Sequence, residues 1–465
     1  MNRMTATPGL LLAALLSACA HIMPPTQVPS QVAPAWQAPL PHQGSVASLA
    51  EWWQRQGDPL LAELISAAQG VSPSVAQAQA RIASARANQA AANAALLPNL
   101  SAQASASRGV SQSGVPLAST VQGGLQASWE LDLVGANRAV SQAAQSQVEG
   151  AQAQWHDARV SVAAEVANLL YSQRHCQQQL AVLARDAGSR QETARLSAIS
   201  AQAGFVAPSV AAMARASASE AASRVTQQSS ACALDVKGLV ALTGVPEPDL
   251  MKKLALAHIP YSQAAPFSIA SLPVDVISQR PDVFAAERDV VLASAQVGSA
   301  KAQQWPRLSL NGSIGRLRVS TGGETTSLST WSFGPLALSL PLFDAGQRAA
   351  QVTAAQANYQ ATVVVYQARV RQAVREVEEA LITLAGTQAR ASDAQVATQG
   401  YAQALAATQN RFDQGLASLF ELEDARRNAL ASESSVLALA LERQRAWVAL
   451  YRAVGGGFAP DLARS

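Results

Sequence analysis

The sequence predicts a mixed α and β membrane protein made of a duplicated unit: a strand pair followed by a long helical hairpin. Three observations carry this reading. The chain repeats itself in register, since Ser72-Pro73-Ser74-Val75 returns as Arg280-Pro281-Asp282-Val283 and Leu97-Pro98-Asn99-Leu100-Ser101 as Trp305-Pro306-Arg307-Leu308-Ser309, both at an offset of 208. Gly204 and Gly415, like Gly244 and Gly455, match at an offset of 211. Two proline-free stretches, Arg138 to Ala207 and Leu342 to Ala459, carry apolar residues at steps of seven, and the segments before them alternate apolar and polar residues. The period far exceeds a solenoid repeat, so the duplication implies a pseudo-symmetric wall or barrel.

Residues 1–18 read as a signal peptide. Arg3 supplies a thin positive start, and Leu10 to Leu16 form an apolar stretch too short to span a bilayer. Leu16-Ser17-Ala18-Cys19 resembles the bacterial lipobox, in which the cysteine becomes the lipidated first residue of the mature chain. The alternative is an ordinary secretory signal that happens to contain a cysteine. Ala20 follows, not aspartate, which in such lipoproteins implies sorting to the outer membrane. Many prolines lie between Pro24 and Pro59, marking residues 19–60 as an extended lead.

The first repeat is assigned to 61–245 and the second to 273–457, with an equatorial linker at 246–272 and a tail at 458–465. In the first repeat Leu100, Ala102, Ala104 and Ala106 alternate with Ser101, Gln103, Ser105 and Ser107. Val121, Leu125, Ala127, Trp129, Leu131 and Leu133 alternate with Gln122, Gln126, Ser128, Glu130 and Asp132. Leu308, Leu310 and Ile314 open the matching strand of the second repeat, and Leu336, Leu338, Leu340 and Leu342 end its partner. Such alternation over about ten residues is the signature of an outer-membrane barrel strand, although a two-sided sheet in a soluble domain remains the alternative. Trp129, Trp331 and Phe333 are candidates for interfacial girdles, and Val110–Thr120 and Ser320–Ser329 for external loops. Four strands leave two open edges that lipid cannot satisfy, so several chains must contribute.

Each strand pair precedes a helix. Val148, Trp155, Val162, Leu169, Cys176 and Leu183 fall at steps of seven, as do Val363, Val370, Val377 and Leu384. A helix from Arg138 to Gly204 would be ~100 Å long at ~1.5 Å per residue. Gly204 and Gly415 then turn each run back into an antiparallel hairpin.

Composition excludes other classes. Loss of Arg3 with the signal leaves a net charge of +2 from 33 basic and 31 acidic residues, so no nucleic-acid partner is implied. Charged residues make up only 14% and no later apolar run is long enough for a transmembrane helix, so strands must make any crossing. His21, His42, His156, His175 and His258 are scattered, without metal-ligand spacing, and no nucleophile motif is present, so neither metal, cofactor nor catalysis is expected. Gly455-Gly456-Gly457 reads as a helix stop, not a phosphate loop.

The lipobox, the repeated strand–hairpin unit and the stretch Arg280-Pro281-Asp282-Val283, Ala286-Glu287-Arg288, Pro306-Arg307-Leu308-Ser309-Leu310 together resemble the outer-membrane efflux factors. These are the TolC/OprM-like proteins, in their lipoprotein (NodT) branch. The resemblance runs from about Trp52 to Gly457. It implies a homotrimer, with a barrel of four strands per protomer in the outer membrane continued by a periplasmic barrel of helices. It also implies partners: a periplasmic adaptor and an inner-membrane transporter, for which the chain is the passive exit duct for drugs or other small molecules. Two other readings are weighed against it. A periplasmic adaptor should carry one hairpin between lipoyl-like halves, and a structural lipoprotein should lack repeated strand pairs.

Arg411-Phe412-Asp413-Gln414-Gly415 and Leu419-Phe420-Glu421-Leu422-Glu423-Asp424-Ala425 resemble the family's tunnel-closing hairpin tip. The resemblance places its two acidic positions at Glu421 and Asp424, one helix face at i, i+3 spacing, and a common tyrosine position at Phe412. Three copies would form a ring of negative charge at a constriction. The alternative is that Glu421, Glu423 and Asp424 pair with Arg426 and Arg427 on a solvated helix. Cys176 and Cys232 lie 28 residues on either side of Gly204, so the fold-back brings them level. In an oxidising periplasm a disulfide follows, or else two buried thiols.

Overall fold

Duplication is visible element by element in the computed structural model, which describes residues 23–29, 35–38, 52–55, 58–110, 117–256 and 273–458. Cys19, the signal, residues 257–272 of the linker and residues 459–465 lie outside them. Two short helices, α1 (Trp52–Arg55) and α2 (Pro59–Val71), lead into α3 (Pro73–Ala94), β1 (Asn99–Gly109), β2 (Ala118–Leu131), α4 (Ala136–Gln202) and α5 (Pro208–Thr243). After α6 (Glu247–Leu256) and α7 (Pro273–Ser278) the pattern returns as α8 (Pro281–Ala302), β3 (Arg307–Thr321), β4 (Glu324–Ser339), α9 (Gln347–Asp413) and α10 (Leu419–Ala453). Both long helices have 67 residues, and both α3 and α8 have 22.

The two hairpins have unequal arms. The returning arms α5 and α10 have only 36 and 35 residues, about half of the long helix each accompanies. The remaining length of α4 packs against α3 and α8, and that of α9 against α8. Each added helix starts after a residue that precedes proline: Ser72 caps α3, its hydroxyl accepting from Val75 N at 3.4 Å, and Pro73 and Pro281 stand in the first helical turns. The linker, too, starts as a helix, α6.

The steps of seven point inward. Val148, Val162, Cys176 and Leu183 of α4 and Val370, Val377 and Leu384 of α9 are buried, while Trp155, Leu169 and Val363 pack partly buried against the core clusters. The largest core lies where the middles of α4 and α9 meet α2, the end of α5 and the end of α10. The extended lead is part of it: Trp36, Trp52 and Trp53 are buried, and Trp52 stacks on Tyr451 with ring centroids 4.6 Å apart. Here the Arg280-Pro281-Asp282 motif does its work. The Arg280 guanidinium donates to both Asp282 oxygens at 2.9 and 2.8 Å, to Glu376 at 2.8 Å and to the carbonyl of Ala453 at 2.8 Å, the end of α10. Gly455, at φ 89°, presses against the carbonyl of Gln279, which an added Cβ would meet at 2.3 Å. The glycine run therefore stops the helix and lets the end of the chain close on the start of the second repeat.

The four strands form one antiparallel sheet in the order β1-β2-β3-β4. Leu100 opposite Ala127, Ala102 opposite Leu125, Leu125 opposite Ile314 and Ile314 opposite Trp331 set one apolar face. Gln103 hydrogen-bonds to Gln126 and Ser313 to Ser332 on the other. β3 and β4 meet at a turn of Gly322 and Gly323, with Thr321 already paired to Glu324. The expected loop at 320–329 is thus strand, because two glycines with positive φ make a tight turn sufficient. Likewise β1 extends to Gly109 and β2 starts at Ala118, so the first connection is shorter than Val110–Thr120; residues 111–116 lie outside the described ones.

The strand-to-helix junctions reuse one device. Asp132 accepts from the backbone of Asn137 at 3.2 Å and Arg138 at 2.9 Å, and Asp344 accepts from that of Gly346 at 3.0 Å and Arg348 at 3.2 Å. In each case a glycine with positive φ, Gly135 or Gly346, precedes the helix. An aspartate here satisfies donors that the first turn cannot bond internally and complements the positive end of the helix.

Candidate functional site

The two hairpin tips are the ends of the molecule farthest from the sheet. At the second tip α9 stops at Asp413, and Gly415, at φ 75°, turns the chain into α10. Ser418 caps α10 in a capping box: its hydroxyl accepts from Glu421 N at 3.2 Å, while the Glu421 carboxylate accepts from Ser418 N at 2.7 Å. Glu421 also lies 3.7 Å from Arg411. The Ser418 backbone donor first, then its hydroxyl and Arg411, hold the Glu421 carboxyl below the usual glutamate range. It is therefore charged at neutral pH while exposed.

Asp424 sits one turn on. It pairs with Arg427 and accepts from Asn428 at 3.3 Å. Phe412 is half-buried at the end of α9, and its carbonyl accepts from Gly415 N at 2.9 Å. The structure therefore brings Phe412, Glu421 and Asp424 to one tip, and gives each acid a cation within its own chain. The first tip carries no acid: Gly204 turns the chain, and Phe205 is 84% exposed.

The opposite face of α10 holds a cluster that motif reading missed. Glu423 receives the guanidinium of Arg190 from α4, accepts from Ser217 of α5 at 2.7 Å and from Arg426 at 3.1 Å. Arg190 also chelates Asp186 at 3.0 and 2.9 Å, and Arg426 reaches Ser189 and Gln409, both at 2.9 Å. Arg190 and Arg426 are 8% and 4% exposed, so their charges depend on these protein partners, and Arg224 adds a further contact to Asp186 at 3.4 Å. Four helices from both repeats are tied at this level. Arg426 is thus a buried partner of Glu423 and not a surface companion of Glu421. The signal for it lay in the helical spacing, since Glu423 and Arg426 share a face that Glu421 and Asp424 do not.

Higher on the first hairpin, Cys176 and Cys232 are joined, their sulfurs 2.08 Å and their Cα atoms 5.4 Å apart. Among the described residues no group of three or more histidine, cysteine or acidic residues is placed to hold a metal ion. No helix among them is long and apolar enough to cross a membrane.

At the sheet end the lead runs along the outside of α8 and α9. Ser294 donates to the carbonyl of Pro24 at 2.6 Å and Tyr359 to that of Pro25 at 2.7 Å, and Met23 fills the space over Gly298. Gly298 stands one helical turn before Ala302, where α8 ends and the chain enters β3.

Comparison with known proteins fits this geometry. The sequence pattern described as outer membrane efflux protein matches residues 64–245 and 272–456. The chain is 27% identical over 463 residues to nodulation protein T of Rhizobium leguminosarum bv. trifolii, covering 96% of each. It is 30% identical over 410 residues to the solvent efflux pump outer membrane protein SrpC of Pseudomonas putida, covering 86% of each. The solved structure of the outer-membrane channel OprN superposes with a TM-score of 0.82 at 26% identity, covering 93% of this chain and 98% of that one.

Proposed function

The chain belongs to the outer membrane efflux protein family, and from that premise we propose the complete device: three copies form one outer-membrane exit duct that receives cargo from a periplasmic adaptor and an inner-membrane transporter. The observation that carries it is the sheet. Its apolar face is open, with Trp331 79% and Phe333 82% exposed, and its outer strands β1 and β4 are unpaired at their edges. An exposed apolar patch and two free edges are stable in lipid only when further strands close the sheet. Three copies supply twelve strands, with the Ser- and Gln-rich face lining an aqueous lumen. The 67-residue helices then extend ~100 Å into the periplasm. An adaptor with a single hairpin has no use for such a sheet.

Glu421, Asp424 and Phe412 of three tips are the proposed constriction. The lowered proton affinity of Glu421 supports the role, because a ring of fixed charge must stay ionised. The proposed cargo is drugs or other small molecules; the name of the Pseudomonas putida relative gives solvents. The proposed anchor is a lipid on Cys19. Met23 lies beside Gly298, one helical turn before α8 ends and the chain enters β3, and this supports an anchor at the sheet end. Labelling with radioactive palmitate should mark the wild type and not Cys19→Ala; equal label in both would remove the anchor.

The constriction is tested in planar bilayers. Glu421→Ala with Asp424→Ala should weaken cation selectivity and block by divalent cations. Arg427→Ala, which frees Asp424 from its partner, should leave selectivity in place or raise it. Selectivity indifferent to the acids but lost with Arg427 would overturn the assignment.

A further inference from the structure

The apolar face of the sheet does not run to its far end. Across one hydrogen-bonded row Ala102, Leu125, Ile314 and Trp331 stand together; in the next row up, Gly123 faces Arg316, and in the one above, Val121 faces Arg318. Arg108 of β1 follows on the same face, opposite Ser119. At this level the alternation of β3 inverts: Arg316 and Arg318 take the outward positions, and Leu317 and Val319 the inward ones. Eight residues from Leu308 to Arg316 span ~26 Å of strand, or ~20 Å of height at a ~40° tilt, close to the ~25 Å of an outer-membrane apolar band. The arginines therefore stand where the hydrocarbon ends, on the side away from the helices.

We propose that Arg108, Arg316 and Arg318 form a docking belt for the phosphates of a multiply acylated glycolipid in the outer leaflet. All three are exposed in the protomer and none pairs with a carboxylate among the described residues. The guanidinium fork matches the oxygens of a phosphate. Spacing selects the headgroup. Arg316 and Arg318 lie two residues apart on one strand, ~7 Å, and Arg108 lies two strands away, ~10 Å across the sheet. That spread suits a headgroup bearing more than one phosphate, not the single phosphate of a common phospholipid. In the rows of Arg316 and Arg318 themselves, Ala104, Gly123 and Ala106 are small, and the row beneath, Ala102, Leu125, Ile314 and Trp331, gives several acyl chains an apolar surface to lie on. Three protomers present nine such arginines around the rim.

The belt rests on the barrel reading above, and the test separates the two. The intact trimer, extracted from the outer membrane in mild detergent, is titrated with a glycolipid carrying two phosphates, with its dephosphorylated form and with a phospholipid. Bound lipid is counted by native mass spectrometry. The wild type should bind the phosphorylated glycolipid about tenfold more tightly than either alternative, as charge-assisted pairing demands. Replacing Arg108, Arg316 and Arg318 together by Ser should reduce that preference to the dephosphorylated level, with lysine replacements retaining part of it. If the serine variant fails to assemble, the comparison of the two glycolipids on the wild type decides alone. A trimer that binds both forms equally, or takes phospholipid as well, overturns the belt and leaves the barrel standing. A wild type that is a monomer removes both.

Discussion

At the scale of single residues, most of the informative side chains are charges with a specific duty. Arg280 is 5% exposed and holds Asp282, Glu376 and the end of α10 at once. Arg280→Ala strands two carboxylates and a carbonyl, a loss of ~3–5 kcal/mol for a broken buried pair. It should be read as a lower temperature at which the trimer dissociates on gels. Arg280→Lys should recover little, since one ammonium cannot replace the fork. Glu421 carries the pH dependence. Its folded proton affinity lies below the unfolded one, so its contribution is complete above the ordinary glutamate range of ~4.3 and is lost as pH falls through the lowered folded value. Cation selectivity recorded by reversal potentials should therefore hold from neutral pH down to the ordinary glutamate range and decline only on acidification below that range. A decline already at pH 6 would point to a different titrating group.

At the scale of elements, the hairpins are fastened at several levels. The Cys176–Cys232 link closes a span of 56 residues in the first hairpin, and on the chain-entropy account such a link is worth ~2–4 kcal/mol. The paired alanine variant should lower thermal stability of α4 and α5 while conductance persists, because the seam residues remain. The Glu423 cluster is different: it joins α4 and α5 to α10, across the two repeats. Glu423→Ala should loosen the tips, raise leak conductance of the closed duct and expose the Gly415 turn to protease, with Glu423→Gln intermediate. An unchanged leak would show that the cluster is not part of the closure. Much of this scale was legible in the sequence. The steps of seven, the turn glycines and the strand alternation are local periodicities that burial enforces directly, and the level position of Cys176 and Cys232 follows from counting along an antiparallel pair. The helices α3 and α8 that complete the hairpins were not read, because α3 is Ala- and Gln-rich with little periodic contrast and α8 is buried on most sides. The Glu423 cluster was hidden for another reason: its members, Asp186, Arg190, Ser217 and Glu423, come from distant parts of the chain and meet only in three dimensions. The tight turn at Gly322-Gly323 was overlooked because Thr- and Ser-rich strand ends have the composition of a loop.

At the scale of the whole molecule, a four-stranded sheet with free edges and an open apolar face is a third of a structure. The duplication gives each protomer two matched strand–hairpin units, so three protomers close with six similar staves in place of one large irregular wall. The proposed constriction draws on the second repeat, whose tip carries acids, whereas the first tip offers Phe205. The claim on which all of this depends is that β4 of one copy pairs with β1 of the next. Cysteines introduced in pairs at lumen-facing positions, Ser101 to Ser107 of β1 against Thr326 to Ser332 of β4, scan the closing register in intact outer membranes. The account predicts that at one or more registers oxidation yields covalent dimers and trimers, with the ladder ending at three because the ring is closed. Monomers at every pairing, or a ladder that runs on past three, would contradict it.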